Sequence, residues 1–254
     1  MKNSLLKFMR FDTEYGQKNL NNKTITVTPT SVLLNRYPEE LRLQIKSDLY
    51  TTDEDLRVKE EQKLCNHLRK TTAITCFSTS DNFHDERKWK AYGENCIILK
   101  FDEVQLLSKI KGFCSNNQLI PYFHKVVYSS ETPNIGPFYE AWNDQINKLK
   151  ETYRSSEEEL VFNALKNVSR DSAKIFLSPL YTKSNGEDGT EDFSWEDEFR
   201  VIVRKVDSST FNDYAIIADN LLPVLVIYRS TLPDTLKHLV ITYSEKNHVP
   251  IQEI

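Results

Sequence analysis

The sequence lacks the closely spaced cysteines and histidines that metal sites and disulfide frameworks require. Its 254 residues include four cysteines, none of them in a Cys-x-x-Cys pair, and five equally scattered histidines. Zinc sites and disulfide-rich folds depend on such spacing. We therefore expect reduced, partly buried thiols and no metal.

Long apolar runs and an excess of one charge are also missing. The longest nearly uninterrupted apolar run, residues 221–228, contains Pro223 and is too short to span a bilayer. Lys7 and Arg10 interrupt the apolar start of the chain, which excludes a typical signal peptide. The net charge of −4 gives no general electrostatic attraction to nucleic acid or an anionic membrane. These features predict a cytoplasmic protein that does not contact a membrane.

Composition and the spacing of the predicted elements indicate a single α+β domain over residues 1–254. With 39% hydrophobic residues, the chain can bury a sizeable core. Several strand pairs have connections too short for parallel crossovers, so we predict a mixed, largely antiparallel sheet. A helical insertion is predicted at about residues 138–176, and the β-branched content of residues 239–243 predicts a short strand.

The segment Trp195–Arg204 is a predicted β-strand with charges where a simple core strand has none. Strand side chains alternate between two faces, so Glu196 and Glu198 should lie about 7 Å apart on one face. Two carboxylates with a guanidinium next in line can orient a hydroxyl or stabilise a developing cation. The competing interpretation is an edge or half-solvated strand whose charges pair with a neighbour. The alternation places Glu196, Glu198, Arg200 and Arg204 on one face and Asp197, Phe199, Val201 and Val203 on the other.

An ordered set of segments resembles the bacterial family called domain of unknown function 2971. The segments are Leu6–Phe11, Thr26–Ser31, Cys76–Ser78, Trp89–Tyr92, Ile97–Asp102, Val127–Tyr128 and Trp195–Arg200. They extend over nearly the whole chain. The family name implies no established activity, so this resemblance supplies an expectation about fold more than about function.

The order of segments more distantly resembles the ADP-ribosyltransferase superfamily. There an early strand contributes Arg or His, a second strand a Ser/Thr-rich segment, and a late strand Glu-x-Glu. The resemblance implies NAD as a substrate, with Glu198 stabilising the ribosyl cation and Glu196 orienting or deprotonating the acceptor. It further implies that Arg10 binds the diphosphate, Thr28 supports the nicotinamide ribose, and Tyr92 stacks on the nicotinamide ring. We expect Arg10 and both carboxylates in one concave site.

Each of these roles has an ordinary structural explanation. Arg10 is typical of a solvated charge or a structural ion pair, Thr28 of a good strand former, and Tyr92 of a core aromatic under a helix. We expect Glu196 and Glu198 to be an exposed carboxylate pair that contributes little to folding, so substitution of either should change stability by no more than about 1 kcal/mol.

Two further classes of function stay open at this point. One is a nuclease-type toxin or defence effector, for which Arg170 and Asp171 begin a ribonuclease-like signature that Phe176 does not complete. The other is a non-catalytic binding module of the same fold. We expect a macromolecular target, and the sequence does not distinguish a protein from a nucleic acid. It also gives no indication of the oligomeric state.

Overall fold

A computed structural model describes most of the chain as an α+β fold with a largely antiparallel sheet, which confirms the predicted fold class. The described residues are 3–36, 54–79, 81, 83–134, 144–145, 175, 177–187, 189, 191–207 and 209–254. The predicted helical insertion at about 138–176 lies almost entirely outside the described residues. No helix in the described ranges is long and apolar enough to cross a bilayer.

The described residues form eleven short strands and six α-helices. The strands are β1 (Ser4–Arg10), β2 (Ile25–Pro29), β3 (Thr72–Ser78), β4 (Cys96–Asp102), β5 (Leu119–Lys125), β6 (Val127–Tyr128), β7 (Thr182–Lys183), β8 (Glu198–Lys205), β9 (Ala215–Ala218), β10 (Leu225–Tyr228) and β11 (Ile251–Glu253). The helices are α1 (Glu14–Asn22), α2 (Thr30–Arg36), α3 (Glu54–Thr71), α4 (Glu86–Tyr92), α5 (Glu103–Asn116) and α6 (Asp234–Asn247).

Side-chain caps fix where several helices begin. The hydroxyl of Thr13 accepts a hydrogen bond from the backbone N–H of Gly16 at 3.0 Å, and the Asp85 carboxylate accepts one from the N–H of Arg87 at 3.0 Å. Such caps satisfy N–H groups that have no partner inside the helix. A β-carbon at Gly16 would lie 1.9 Å from the carbonyl oxygen of Arg10, so only glycine fits at this turn.

Strand β3 is the hub of the sheet because it pairs with three other strands. On one side it pairs antiparallel with β8 along its full length, from Thr72 opposite Arg204 to Ser78 opposite Glu198. Its other side pairs with β1 at Ser78 and with β2 at the opposite end. The main sheet therefore continues outward from β3 as β1, β4, β10 and β11, with β5 beyond β8 and β9 beyond β2.

The two faces of β8 differ as its sequence predicts. Val201 and Val203 are fully buried in the main apolar core, with Phe199 packed against them, whereas Glu198 and Arg200 are buried on the opposite face. Strand alternation thus correctly assigns the side chains from Glu198 onward.

The prediction that this alternation extends back to Glu196 and Asp197 is wrong. β8 begins at Glu198, and Ser194–Glu196 form a turn of 3₁₀-helix. Asp197 has a left-handed backbone with φ of 45°, which ends the extended conformation. Glu196 therefore reaches Glu198 from a turn and not from the same strand face.

The strand predicted for residues 239–243 is also wrong. These residues belong to α6, where Val240 and Tyr243 are buried. Their three-residue separation places both side chains on one helix face, so packing against the core outweighs the β-branched preference.

Candidate functional site

The candidate site begins with a buried ion pair inside β8. Arg200 donates from Nε to Glu198 Oε1 at 2.8 Å and from Nη2 to Oε2 at 3.0 Å. The two residues are two positions apart and therefore adjacent on one strand face. Arg200 is completely buried, and its Nη1 donates to the carbonyl oxygen of Leu180 at 2.6 Å. The predicted solvent exposure of this carboxylate is wrong, since Glu198 is only 6% exposed.

Lys183 joins the second carboxylate to this pair. Its Nζ lies 3.1 Å from Glu198 Oε2 and also forms an ion pair with Glu196 Oε2. The lysine comes from β7, which pairs in parallel with β6, and it is 3% exposed. Two carboxylates from neighbouring positions in the chain thus share one buried ammonium group.

The two carboxylates have opposite pKa shifts. Burial raises the pKa of Glu196 to about 7, with the negative charge of Glu198 adding to the rise and Lys183 opposing it. Burial also acts to raise the pKa of Glu198, but Arg200 and Lys183 outweigh it and hold that pKa well below its usual range. At neutral pH Glu198 is a fixed negative charge, whereas Glu196 can take up or release a proton.

The hydrogen-bonding capacity of Glu198 is largely taken up inside the protein. Its carboxylate accepts two bonds from Arg200, lies within ion-pair distance of Lys183, and interacts with the Cys76 thiol. A carboxylate offers about four acceptor positions. Glu196 has fewer protein partners and a side chain that is 21% exposed, so it is the carboxylate available to a bound molecule.

Ser78 lies directly opposite Glu198 in the register of β3 and β8. Its hydroxyl donates to the backbone carbonyl of Glu196 at 3.1 Å and accepts from Lys88 Nζ at 2.7 Å. Lys88, on α4, is 3% exposed, and burial lowers the pKa of its ammonium group. A hydroxyl and a second buried cation therefore adjoin the carboxylates.

Backbone contacts hold the turn that carries Glu196. The N–H of Thr79 donates to the carbonyl of Asp197 at 2.9 Å, and the N–H of Glu198 donates to the Tyr128 hydroxyl at 2.9 Å. Burial raises the pKa of Tyr128, so this phenol stays protonated at neutral pH. The turn is thus fixed from both β3 and β6.

The structure does not bring Arg10 to the carboxylates. Arg10 ends β1 with a side chain that is 59% exposed, and it pairs with Asp12 at 3.0 Å. β1 meets β3 at Leu6 opposite Ser78, which leaves Arg10 four residues, or roughly 13 Å, further along the strand. The prediction that Arg10 shares one site with Glu196 and Glu198 is therefore wrong, although the two carboxylates do lie together on Lys183.

Thr28 and Tyr92 also lie away from the carboxylate pair. Thr28 is opposite Ile74 on β3, four positions and roughly 13 Å from Ser78 along that strand. Tyr92 stacks on Phe8 with ring centroids 5.2 Å apart. Trp89, on the same helix, is buried against Phe8, whereas Tyr92 is 37% exposed, so the interpretation of Tyr92 as a core aromatic is wrong.

Sequence reasoning missed Ser78, Lys88, Lys183 and Tyr128 as parts of the site. Ser78 and Tyr128 both end segments that carry the family resemblance, which was a signal available in the sequence. Lys183 lies in the loop before the carboxylate strand, with no local pattern to mark it. Its role depends on the pairing of β7 with β6, which brings it over Glu198.

No family model, curated protein or solved structure matches the chain. Among the described residues, no group of three or more His, Cys, Asp or Glu side chains could hold a metal ion. The arrangement therefore has to be interpreted from its own geometry: two carboxylates with separated pKa values, a serine hydroxyl and three buried cations.

Proposed function

We propose that the chain is an NAD-dependent ADP-ribosyltransferase or NAD glycohydrolase whose reacting centre is the turn carrying Glu196. The observation that carries the proposal is the convergence of Glu196 and Glu198 on Lys183, directly beside Ser78. Separated pKa values in two adjacent carboxylates are typical of acid–base sites.

The arrangement of strands supports the same proposal. β1, β3 and β8 lie side by side, so an early strand, a strand ending in serine and the late carboxylate strand are neighbours. This is the set of elements that the superfamily resemblance implies, with Ser78 of β3 in place of the Thr26–Ser31 segment. The order of the strands in the sheet and the chemistry of the side chains therefore both support the proposal.

The reaction proposed for this site begins with breakage of the bond between ribose C1′ and the nicotinamide nitrogen. The bonding electrons leave with nicotinamide, which becomes neutral, and the ribose becomes an oxocarbenium-like cation. The fixed negative charge of Glu198 favours that cation over the ground state. A hydroxyl of the acceptor, or water, then attacks C1′, and its proton passes to Glu196.

This division of labour follows from the contacts of the two carboxylates. The Glu198 carboxylate is already bound by Arg200, Lys183 and Cys76. In the proposed reaction it therefore acts through its charge and its position and does not transfer a proton. Glu196 is partly exposed, and its pKa of about 7 suits proton transfer at neutral pH.

The test is nicotinamide release from NAD by the purified protein, with water or cell lysate as acceptor. Glu196→Gln should lower the rate roughly 10²- to 10³-fold, a typical contribution of a positioned acid–base group. Glu191→Gln is the matched control because Glu191 is exposed in the preceding loop, and it should keep the wild-type rate. A Glu196→Gln variant as active as wild type would disprove the assigned role.

A non-catalytic binding module is the second candidate, and the complete pairing of Glu198 favours it. A carboxylate that is fully engaged by protein groups is typical of a structural ion pair. Wild-type protein that neither releases nicotinamide nor binds NAD in calorimetry would support this second function over the first.

A further inference from the structure

Lys88 is a buried cation that lacks a carboxylate partner in the described part of the chain. It is 3% exposed, and its one side-chain hydrogen bond goes to the Ser78 hydroxyl at 2.7 Å. No described carboxylate lies within ion-pair distance of its Nζ, although Asp197, Asp85 and Glu196 are near enough to act on its charge. Lys183, in contrast, pairs with two carboxylates.

Such an arrangement is costly for the protein alone. An ammonium group has three N–H donors, and a buried charge without a counterion is strongly unfavourable. Nearby, Lys183 and Arg200 already match the charges of Glu196 and Glu198. Lys88 differs from these two cations because no described carboxylate lies at ion-pair distance from its ammonium group.

The position of Lys88 relative to the carboxylates suits one part of the proposed substrate. Ser78, which holds Lys88, is directly opposite Glu198, so an anion on Lys88 would adjoin the reacting centre. NAD carries its diphosphate close to the ribose that reacts. A lysine ammonium binds phosphate oxygens as a point charge. One of its three N–H groups donates to Ser78, which leaves two for a phosphate.

We infer that Lys88, held by Ser78, forms the subsite for the diphosphate of the dinucleotide, the role that the superfamily resemblance implied for Arg10. The inference rests on the proposed function for the identity of the ligand. The subsite itself is a diphosphate-binding site, and inorganic pyrophosphate is its simplest probe.

The experiment measures pyrophosphate and NAD binding by calorimetry at fixed ionic strength, with wild type, Lys88→Met and Lys90→Met. Methionine keeps the length of the buried stem and removes the charge. Lys88→Met should weaken pyrophosphate and NAD binding roughly 10- to 100-fold, as for loss of a hydrogen bond to a charged group. Lys90 is exposed on the same helix, so its variant should bind like wild type.

Thermal unfolding without ligand separates a binding role from a structural one. A lysine kept for a ligand destabilises the empty protein, so Lys88→Met should unfold a few degrees higher than wild type. A Lys88→Met variant that unfolds at lower temperature would mean that Lys88 is structural and would overturn the inference. Ser78→Ala provides a second variant, and it should weaken pyrophosphate binding because the hydroxyl that holds the Lys88 ammonium group in place is lost.

The outcomes also distinguish this inference from the proposed function. If wild type binds pyrophosphate in a Lys88-dependent way but releases no nicotinamide, the subsite stands and the reaction is wrong. If nicotinamide release is normal in Lys88→Met, the reaction stands and the subsite is wrong. Wild type that binds neither pyrophosphate nor NAD overturns the subsite as well.

Discussion

Glu196 and Glu198 are the same residue type two positions apart, yet their surroundings give them opposite properties. Glu198 lies in a strand and is bound by Arg200, so its pKa stays below the usual range. Glu196 lies in a turn of 3₁₀-helix, where burial raises its pKa to about 7. The difference shows that the number of charged partners, more than burial alone, decides which of two buried carboxylates keeps its charge.

The comparison also separates stability from chemistry. A buried ion pair whose geometry is satisfied on both sides is costly to break, whereas a partly exposed group with fewer partners is available to a substrate. The two residues should therefore respond differently to the same substitution.

The largest expected effect is on folding. Glu198→Gln removes the negative charge that two buried cations face, so the free energy of unfolding should fall by about 3–5 kcal/mol at pH 7. Glu196→Gln should change it by no more than about 1 kcal/mol at pH 5, where Glu196 is mostly protonated. Urea unfolding measures both values.

A double substitution shows whether the loss of stability in Glu198→Gln arises because the buried Arg200 guanidinium no longer has a carboxylate partner. Glu198→Leu with Arg200→Met removes both partners, and burial of apolar side chains replaces the pair. The free energy of unfolding should fall less in this double variant than in Glu198→Gln, because no buried guanidinium is left without a carboxylate. A double variant as unstable as the single one would mean that shape, and not charge, makes Glu198 important.

The second prediction concerns pH. Glu196 has a folded-state pKa of about 7, above the ordinary value of 4.5, so it contributes stability that is fully present below pH 4.5 and lost as the pH rises through 7. Glu198 has a lowered pKa, so its contribution is present above pH 4.5 and lost as the pH falls through its folded-state pKa. The slopes of stability against pH thus have opposite signs for the two residues.

Unfolding measured from pH 4.5 to 8 checks this prediction. Wild type should lose about 3 kcal/mol through Glu196 over that range, and Glu196→Gln should remove most of this loss. Nicotinamide release should rise with pH to a plateau above about 7, where Glu196 is ionised. An unchanged stability profile in Glu196→Gln would show that this carboxylate titrates in its ordinary range.

Much of the fold and part of the site were accessible from the sequence for identifiable reasons. The two faces of β8 follow from period-two alternation, so Phe199 and Val201 were correctly assigned to the core and Glu198 to the opposite face. The antiparallel sheet follows from short connections. The carboxylates were chosen because charge on a predicted core strand needs an explanation.

The remaining parts of the site depend on contacts between distant segments. Lys183 reaches Glu198 because β7 pairs with β6, and Lys88 reaches Ser78 because α4 packs against β1, which meets β3 at Ser78. Neither contact has a local sequence pattern. The assignment of Arg10 failed because the order of segments along the chain gives no distance along a strand.

The smallest expected effect is on the stability of Asp197 variants, which test whether the left-handed backbone of Asp197 keeps Glu196 out of β8. Asp197 has a φ of 45°, a conformation in which a β-carbon is strained and glycine is not. Asp197→Gly and Asp197→Ala both remove the exposed pairing with Lys125, which is 3.8 Å long, so their difference reports on the backbone alone. Asp197→Ala should be less stable than Asp197→Gly by about 1 kcal/mol.

The same pair of variants connects the turn to the chemistry. Glycine keeps the left-handed turn, so Asp197→Gly should retain the pH dependence that Glu196 gives to unfolding and to nicotinamide release. Alanine disfavours the left-handed backbone, so Asp197→Ala should distort the turn, move Glu196 relative to Lys183 and shift that dependence. Equal stability and equal pH profiles for the two variants would mean that the contacts of Thr79 and Tyr128, and not the conformation of Asp197, set the position of Glu196.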